Sequence, residues 1–118
     1  MNAAQRNIIV KLNTDFIWNL TLLNKDKTPV DLTGSSVKMQ IRDAPGGGSL
    51  YLELSTSNGL ISGPLGPTGE ISILVPQATV GVMTWAEGTY DVILTDSTGS
   101  LSALIEGIAM TQQGTTVP

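Results

Sequence analysis

The chain of 118 residues contains no cysteine and no histidine. Disulfides, thiolate nucleophiles, Cys/His zinc sites and imidazole general bases are therefore all excluded. Aromatic residues make up only 4% of the chain. A stacking platform for bases or sugars would have to come from Phe16, Trp18, Tyr51, Trp85 and Tyr90 alone. Positive charge is also short: 6 Lys and Arg face 10 Asp and Glu, a net charge of −4. That is the wrong sign for neutralising phosphates, so no nucleic-acid partner is expected. No apolar run approaches the ~18 residues that span a bilayer, and the N-terminal "MNAAQRNIIVKLN" lacks the apolar stretch of a signal peptide. The expectation is synthesis in the cytoplasm and no membrane partner.

What the sequence does have is alternation. In "VKMQIR", Val37, Met39 and Ile41 alternate with Lys38, Gln40 and Arg42, the pattern of a strand with one buried and one wet face. "FIWNLTLL" places Phe16, Trp18, Leu20 and Leu22 on one face, and "LYLEL" would turn Leu50, Leu52 and Leu54 inward with Tyr51 and Glu53 outward. Further strands are read at residues 8–11, at "EISILV" (70–75), at "EGTYDVILT" and at "SLSALIEGIAM". Gly107 inside the last of these, where the apolar phase shifts, reads as a β-bulge.

Turn chemistry separates the strands. Pro29 biases Thr28 to an extended conformation, "DAPGGGS" breaks a strand with Pro45 and three glycines, and "SNGLIS" carries an Asn-Gly pair. "DSTG" suits a type I turn closed at Gly99. Between them, "QATVGVMTW" (77–85) reads as a short helical crossover with Ala78, Val82 and Trp85 on one face and Trp85 as its plug. No repeat of about 20 to 50 residues is present. The fold expected is all-β: a single antiparallel immunoglobulin-like β-sandwich of about seven or eight strands. One domain over 1–118 is expected, with a core over about 7–112 and a polar tail over 111–118.

Candidate chemistry is sparse. Asp91, Asp96 and Glu106 could meet near the last hairpin as a metal or acid/base site. Solvated strand positions and turn chemistry account for them better, since Asp91 alternates with Tyr90 and Val92 and Asp96 opens a turn. Gly46 to Gly48 are followed by no Lys-Ser/Thr pair or helix and read as a hairpin tip, not a phosphate cradle. Gly88 followed by Tyr90 at a strand start reads as a tyrosine corner, a structural role in which the phenol closes a loop. Lys38, Gln40 and Arg42 form a candidate protein-contact face. No catalytic, cofactor or metal site is assigned, and the chain is not expected to be an enzyme.

The order of these pieces resembles a group of small tailed-bacteriophage β-sandwich modules found in baseplate, upper-fibre, neck and tail proteins. The resemblance rests on "TPVDLTGSSVKMQIR", with Pro29, Val30, Asp31, Leu32, Thr33, Gly34, Val37, Met39, Ile41 and Arg42 matching, followed by "GEISILV", "EGTYDVILTD" and "ALIEG". It spans about residues 7 to 112, with Thr28 and Trp85 as departures. The resemblance implies a virion structural or adaptor protein that contacts other phage proteins, as a homo-oligomer or in multiple copies around a symmetric ring. Trp18, Pro29, Asp31, Gly34, Trp85, Gly88, Tyr90 and Gly107 would then be structural residues. The alternative is a carbohydrate- or host-receptor-binding module on the same scaffold, which would require Trp18, Tyr51 or Trp85 exposed beside carboxylates or amides.

Overall fold

The computed structural model describes residues 4–63 and 65–115. Its elements run β1 (Ala4–Gln5), β2 (Ile8–Lys11), β3 (Phe16–Thr21), β4 (Ser36–Arg42), β5 (Leu50–Ser55), β6 (Ile61–Ser62), β7 (Glu70–Val75), α1 (Gln77–Val80), β8 (Glu87–Thr95) and β9 (Leu101–Gln112). The larger sheet has the order β1-β9-β8-β4-β5, with β2 also paired to β9; the smaller has the order β3-β7-β6. The all-β sandwich expected from the alternation is what forms. Set against an immunoglobulin sandwich, β9, β8, β4 and β5 take the places of strands G, F, C and C′, and β3, β7 and β6 those of B, E and D. No strand stands in the place of A beside β3 among the described residues.

The core follows from parity. Val37, Met39 and Ile41 of β4, Ile71, Ile73 and Val75 of β7, and Tyr90, Val92 and Leu94 of β8 are all buried between the sheets. A further contributor is not in a strand at all. Leu32, in the loop before β4, is 0% exposed. Its N–H donates to the Gly66 carbonyl at 2.9 Å and its own carbonyl accepts from Ser35 N–H at 2.9 Å. Asp31 Oδ1 accepts from Thr33 N–H at 3.0 Å, and Gly34 completes the turn at a φ of 76° with Ser97 packed against it. Pro29 bridges to Leu23, and Val30 N–H reaches the Leu22 carbonyl at 2.9 Å. "PVDLTG" is thus a plug held by its own main chain.

The same Asp-x-Thr device recurs in three loops. Asp26, Asp31 and Asp96 each accept the N–H of the residue two places on, and Asp26 and Asp96 also accept the threonine hydroxyl. These hydrogen bonds, the hydroxyl contact first, hold all three carboxyls below the ordinary value of 3.8. A depressed folded-state pKa contributes stability above the unfolded value and loses it as pH falls through the folded one. In the last hairpin the turn closes as read, with Gly99 at a φ of 92° and its N–H on the Asp96 carbonyl.

Several details depart from the sequence reading. The sandwich is not wholly antiparallel, because β1 and β2 run parallel to β9. The described residues hold nine strands, two of them of two residues. The crossover is helical only over Gln77–Val80, and its plug is the buried Val80; Val82 is 75% exposed and Ala78 is exposed. Four residues are a single turn, too short for Ala78, Val82 and Trp85 to share one helical face. Thr111 and Gln112 belong to β9, opposite Val10 and Lys11. The rest of the polar tail beyond residue 115 lies outside the described residues, as does Pro64 in the loop 63–69.

Two bulges explain the remaining departures. In β4–β5 the register shifts at Ile41/Arg42, so Leu52 opposes Ile41 while Leu50 opposes Arg42. The extra residue is Tyr51. It turns inward against the core and leaves Leu50 47% exposed. In β8–β9 the shift lies at Val92/Ile93, making Leu104 the extra residue and burying Leu104 and Ile105 in succession. Gly107 is therefore not a bulge: it pairs regularly with Tyr90. It is glycine because the Arg6 carbonyl lies over it, only 2.0 Å from where a Cβ would stand.

Candidate functional site

The outer face of the larger sheet carries the one continuous polar array we identify among the described residues. Strand register places Glu53 opposite Gln40, Gln40 opposite Asp91, Asp91 opposite Glu106 and Glu106 opposite Gln5. One row thus crosses five strands. Gln40 Nε2 donates to Glu53 Oε1 at 2.7 Å, and Gln5 Nε2 donates to Glu106 Oε1 at 2.7 Å. Arg42 donates through Nε and Nη2 to Gln40 Oε1 at 3.1 and 3.0 Å, and through Nη1 to the Gly48 carbonyl at 2.9 Å. The guanidinium is tied at both ends, and it draws the glycine-rich tip of the β4–β5 hairpin towards the sheet. The result is an open concavity of about 640 Å³ over Gln5, Gln40, Arg42, Asp91 and Glu106, walled by the hairpin tip.

Of the residues read as a contact face, Gln40 and Arg42 line this concavity, and Lys38 stands outside it with its ammonium 3.9 Å from Glu53. Asp91 is the member whose side chain makes no hydrogen bond among the described residues. Desolvation raises its carboxyl above the ordinary 3.8, the neighbouring Glu106 raises it further, and Arg42 offsets part of this. A raised folded-state pKa favours the protonated form, so the ionised Asp91 works against folding once the pH exceeds the unfolded value. Asp91→Asn is expected to raise stability, and with it the thermal midpoint, at about pH 7, the gain being no more than roughly the few tenths of a kcal/mol of a screened surface pair, and to change nothing at about pH 3. Thermal melts at the two pH values check this. A lower midpoint at neutral pH would contradict it.

The carboxylates considered for chemistry do not converge. Asp91 and Glu106 are cross-strand neighbours, whereas Asp96 lies in the β8–β9 turn and accepts from Thr98 and Ser100. Among the described residues no group of three or more His, Cys, Asp or Glu is placed to hold a metal ion.

The aromatic residues are used inside the sandwich. Trp18 meets Phe16 and Tyr90 edge to face, at 6.4 and 6.1 Å between ring centres, and the Arg6 guanidinium covers it at 5.5 Å. Tyr51 and Trp85 stack with their rings 5.2 Å apart and nearly parallel. Gly88 is glycine chiefly because a Cβ would stand 2.6 Å from the Arg42 carbonyl oxygen, with the Tyr51 ring of this stack beside it at 3.1 Å. Trp85 is thus half-buried against Tyr51, not a core plug, and its buried indole N–H has no partner among the described residues.

Tyr90 does close a hydrogen bond, but not the local one of a tyrosine corner. Its hydroxyl donates to the Arg6 carbonyl at 2.5 Å, joining β8 to the link between β1 and β2, and burial pushes its pKa up to about 12. The sequence reading missed Gln5, Glu53, Asp91 and Glu106 as members of one row. Each is an outward residue of its own strand, and only register aligns them. No protein-family model matches the chain, and no curated protein matches it.

Proposed function

We propose that the protein is a structural adaptor subunit of a tailed-bacteriophage particle, holding neighbouring virion proteins through its sheet surfaces. The sequence pattern from "PVDLTG" to "ALIEG" supports the reading. The observation that carries it is the polar row on the larger sheet, where Gln40, Arg42 and Glu53 are already locked together on paired strands. Side chains ordered before contact lose little entropy when a partner docks. Asp91, whose carboxylate makes no hydrogen bond among the described residues, supplies an open acceptor for a Lys or Arg of that partner.

A partner protein fits this face better than a nucleic acid, because three carboxylates, Glu53, Asp91 and Glu106, lie in the row. The sugar-binding alternative is weaker, because Tyr51 and Trp85 each give a ring face to the other. Multiple copies in the particle, and residence in the virion after cytoplasmic synthesis, complete the proposal. Mass spectrometry of particles purified from a host that expresses this chain tests it. The expected result is the chain in stoichiometric amount in the particles. A chain abundant in the lysate and missing from the particles overturns the proposal.

A further inference from the structure

We propose that β3 is a self-complementary edge through which two copies of the chain pair antiparallel, joining their smaller sheets into one continuous sheet. The inference stands on this edge alone and does not depend on where the protein works. A strand edge presents unpaired N–H and C=O groups, and proteins guard such edges by shortness, charge, proline or bulges. The other edges here are guarded. β6 has two residues, β1 and β2 are short and interrupted at Arg6 and Asn7, and β5 carries a bulge, Glu53 and the Asn58 amide bonded to the Glu53 carbonyl.

β3 has none of these devices. It is six residues in unbroken register with β7, with no proline and no charged side chain. Leu22 N–H donates to the Gly69 carbonyl at 2.8 Å in continuation of that register. This sets the phase: even-numbered main-chain groups face β7, and the N–H and C=O of Ile17, Asn19 and Thr21 face the open side. The core is also unfinished there. Ile71, Ile73 and Val75 of β7 are no more than 1% exposed, whereas Phe16, Trp18 and Leu20, one strand further out, remain only partly buried.

The occupant that matches is a second copy of β3. Inward and outward side chains coincide across an antiparallel pair only when opposed residue numbers share parity. With the two-fold axis at Leu20, Asn19 opposes Thr21 of the second copy and Trp18 opposes its Leu22. Ile17, 62% exposed, opposes Leu23, 49% exposed. Exposed Asp15 lies just before the edge and exposed Lys25 in the turn after it, so the two ends carry opposite charge and approach each other in an antiparallel pair. Each chain has one such edge among its described residues, so the pairing closes at two copies.

Sedimentation velocity over about 1 to 200 μM tests the proposal, since association responds to concentration. A dimer is expected for the wild type. Ile17→Lys puts a charge on the outer face of the edge, where the side chain already meets solvent, and should leave a folded monomer with dimer affinity reduced about tenfold or more. Asn19→Pro removes an N–H that faces the open side, and an edge strand tolerates this, so it too should be monomeric. Lys25→Asp should weaken association, and added salt should reduce the defect. A wild type that stays monomeric across the range overturns the proposal, as does a dimer unaffected by Ile17→Lys in a chain whose circular dichroism matches the wild type.

Discussion

Gly107→Ala is expected to lower stability by about 3 kcal/mol and to release the N-terminal strand, an effect far larger than an Ala for Gly exchange in an ordinary strand. The backbone of Gly107 does not need glycine for its dihedral angles, since it is absent from the residues with positive φ. The requirement is steric. An added Cβ would stand 2.0 Å from the Arg6 carbonyl oxygen and 2.7 Å from its carbon, and both atoms are main chain with no rotamer to escape into. Moving Arg6 aside breaks what holds it: its N–H on the Glu106 carbonyl at 2.9 Å, the Tyr90 hydroxyl on its oxygen, and the Ile108 N–H on Asn7 Oδ1 at 3.0 Å. Ile8 and Val10 just beyond are core residues, so the displacement would also loosen burial. Urea unfolding gives the stability, and amide hydrogen exchange should show residues 4–11 losing protection ahead of β4 and β8. A variant within about 0.5 kcal/mol of the wild type would show that the strand shifts freely.

Leu32→Ala should cost about 3 to 5 kcal/mol, a large share of the roughly 5 to 15 kcal/mol that stabilises a domain of this size. The upper part of the range applies because the site cannot collapse. The Leu32 main chain is held on both sides, by Gly66 and Ser35, and the Asp31–Thr33 turn and Gly34 fix the loop around it. The cavity therefore stays open once the side chain is shortened. The expected signature is a lower urea midpoint with an unchanged slope, since loss of packing leaves the surface exposed on unfolding about the same. Thr33→Val at the neighbouring exposed position keeps the backbone N–H on Asp31 but loses the hydroxyl that helps hold its carboxyl below the ordinary value, so a loss well below that of Leu32→Ala is expected. A Leu32→Ala loss below about 1 kcal/mol would mean that the loop relaxes onto the core after all.

The strands are the part of this protein that its local pattern announces. Val37, Met39 and Ile41, Ile71 and Ile73, and Val92 and Leu94 are buried as their alternation requires, because side-chain direction in a strand is a property of neighbours in the chain. The Asp96 turn is local chemistry in the same sense. Where a partner strand imposes an extra residue, local parity fails: Tyr51 turns in and Leu50 out, and Leu104 and Ile105 are buried in succession. No spacing within β5 or β9 encodes those shifts.

The candidate site depends on the same distinction. Lys38, Gln40 and Arg42 could be placed on one wet face from their own strand, but Glu53, Asp91, Glu106 and Gln5 join them only through the register of four other pairings. Tyr90 was recognisable as a structural tyrosine, yet its acceptor lies 84 residues away in the chain. Local residue order was enough to set an all-β chain with a turn at Asp96 and one buried and one wet face along β4 and β8, because those features need only adjacent residues. Which strands are neighbours, which edge is left open at β3 and which carbonyl lies over Gly107 were decided by long-range pairing, whose energy comes from residues far apart in the chain.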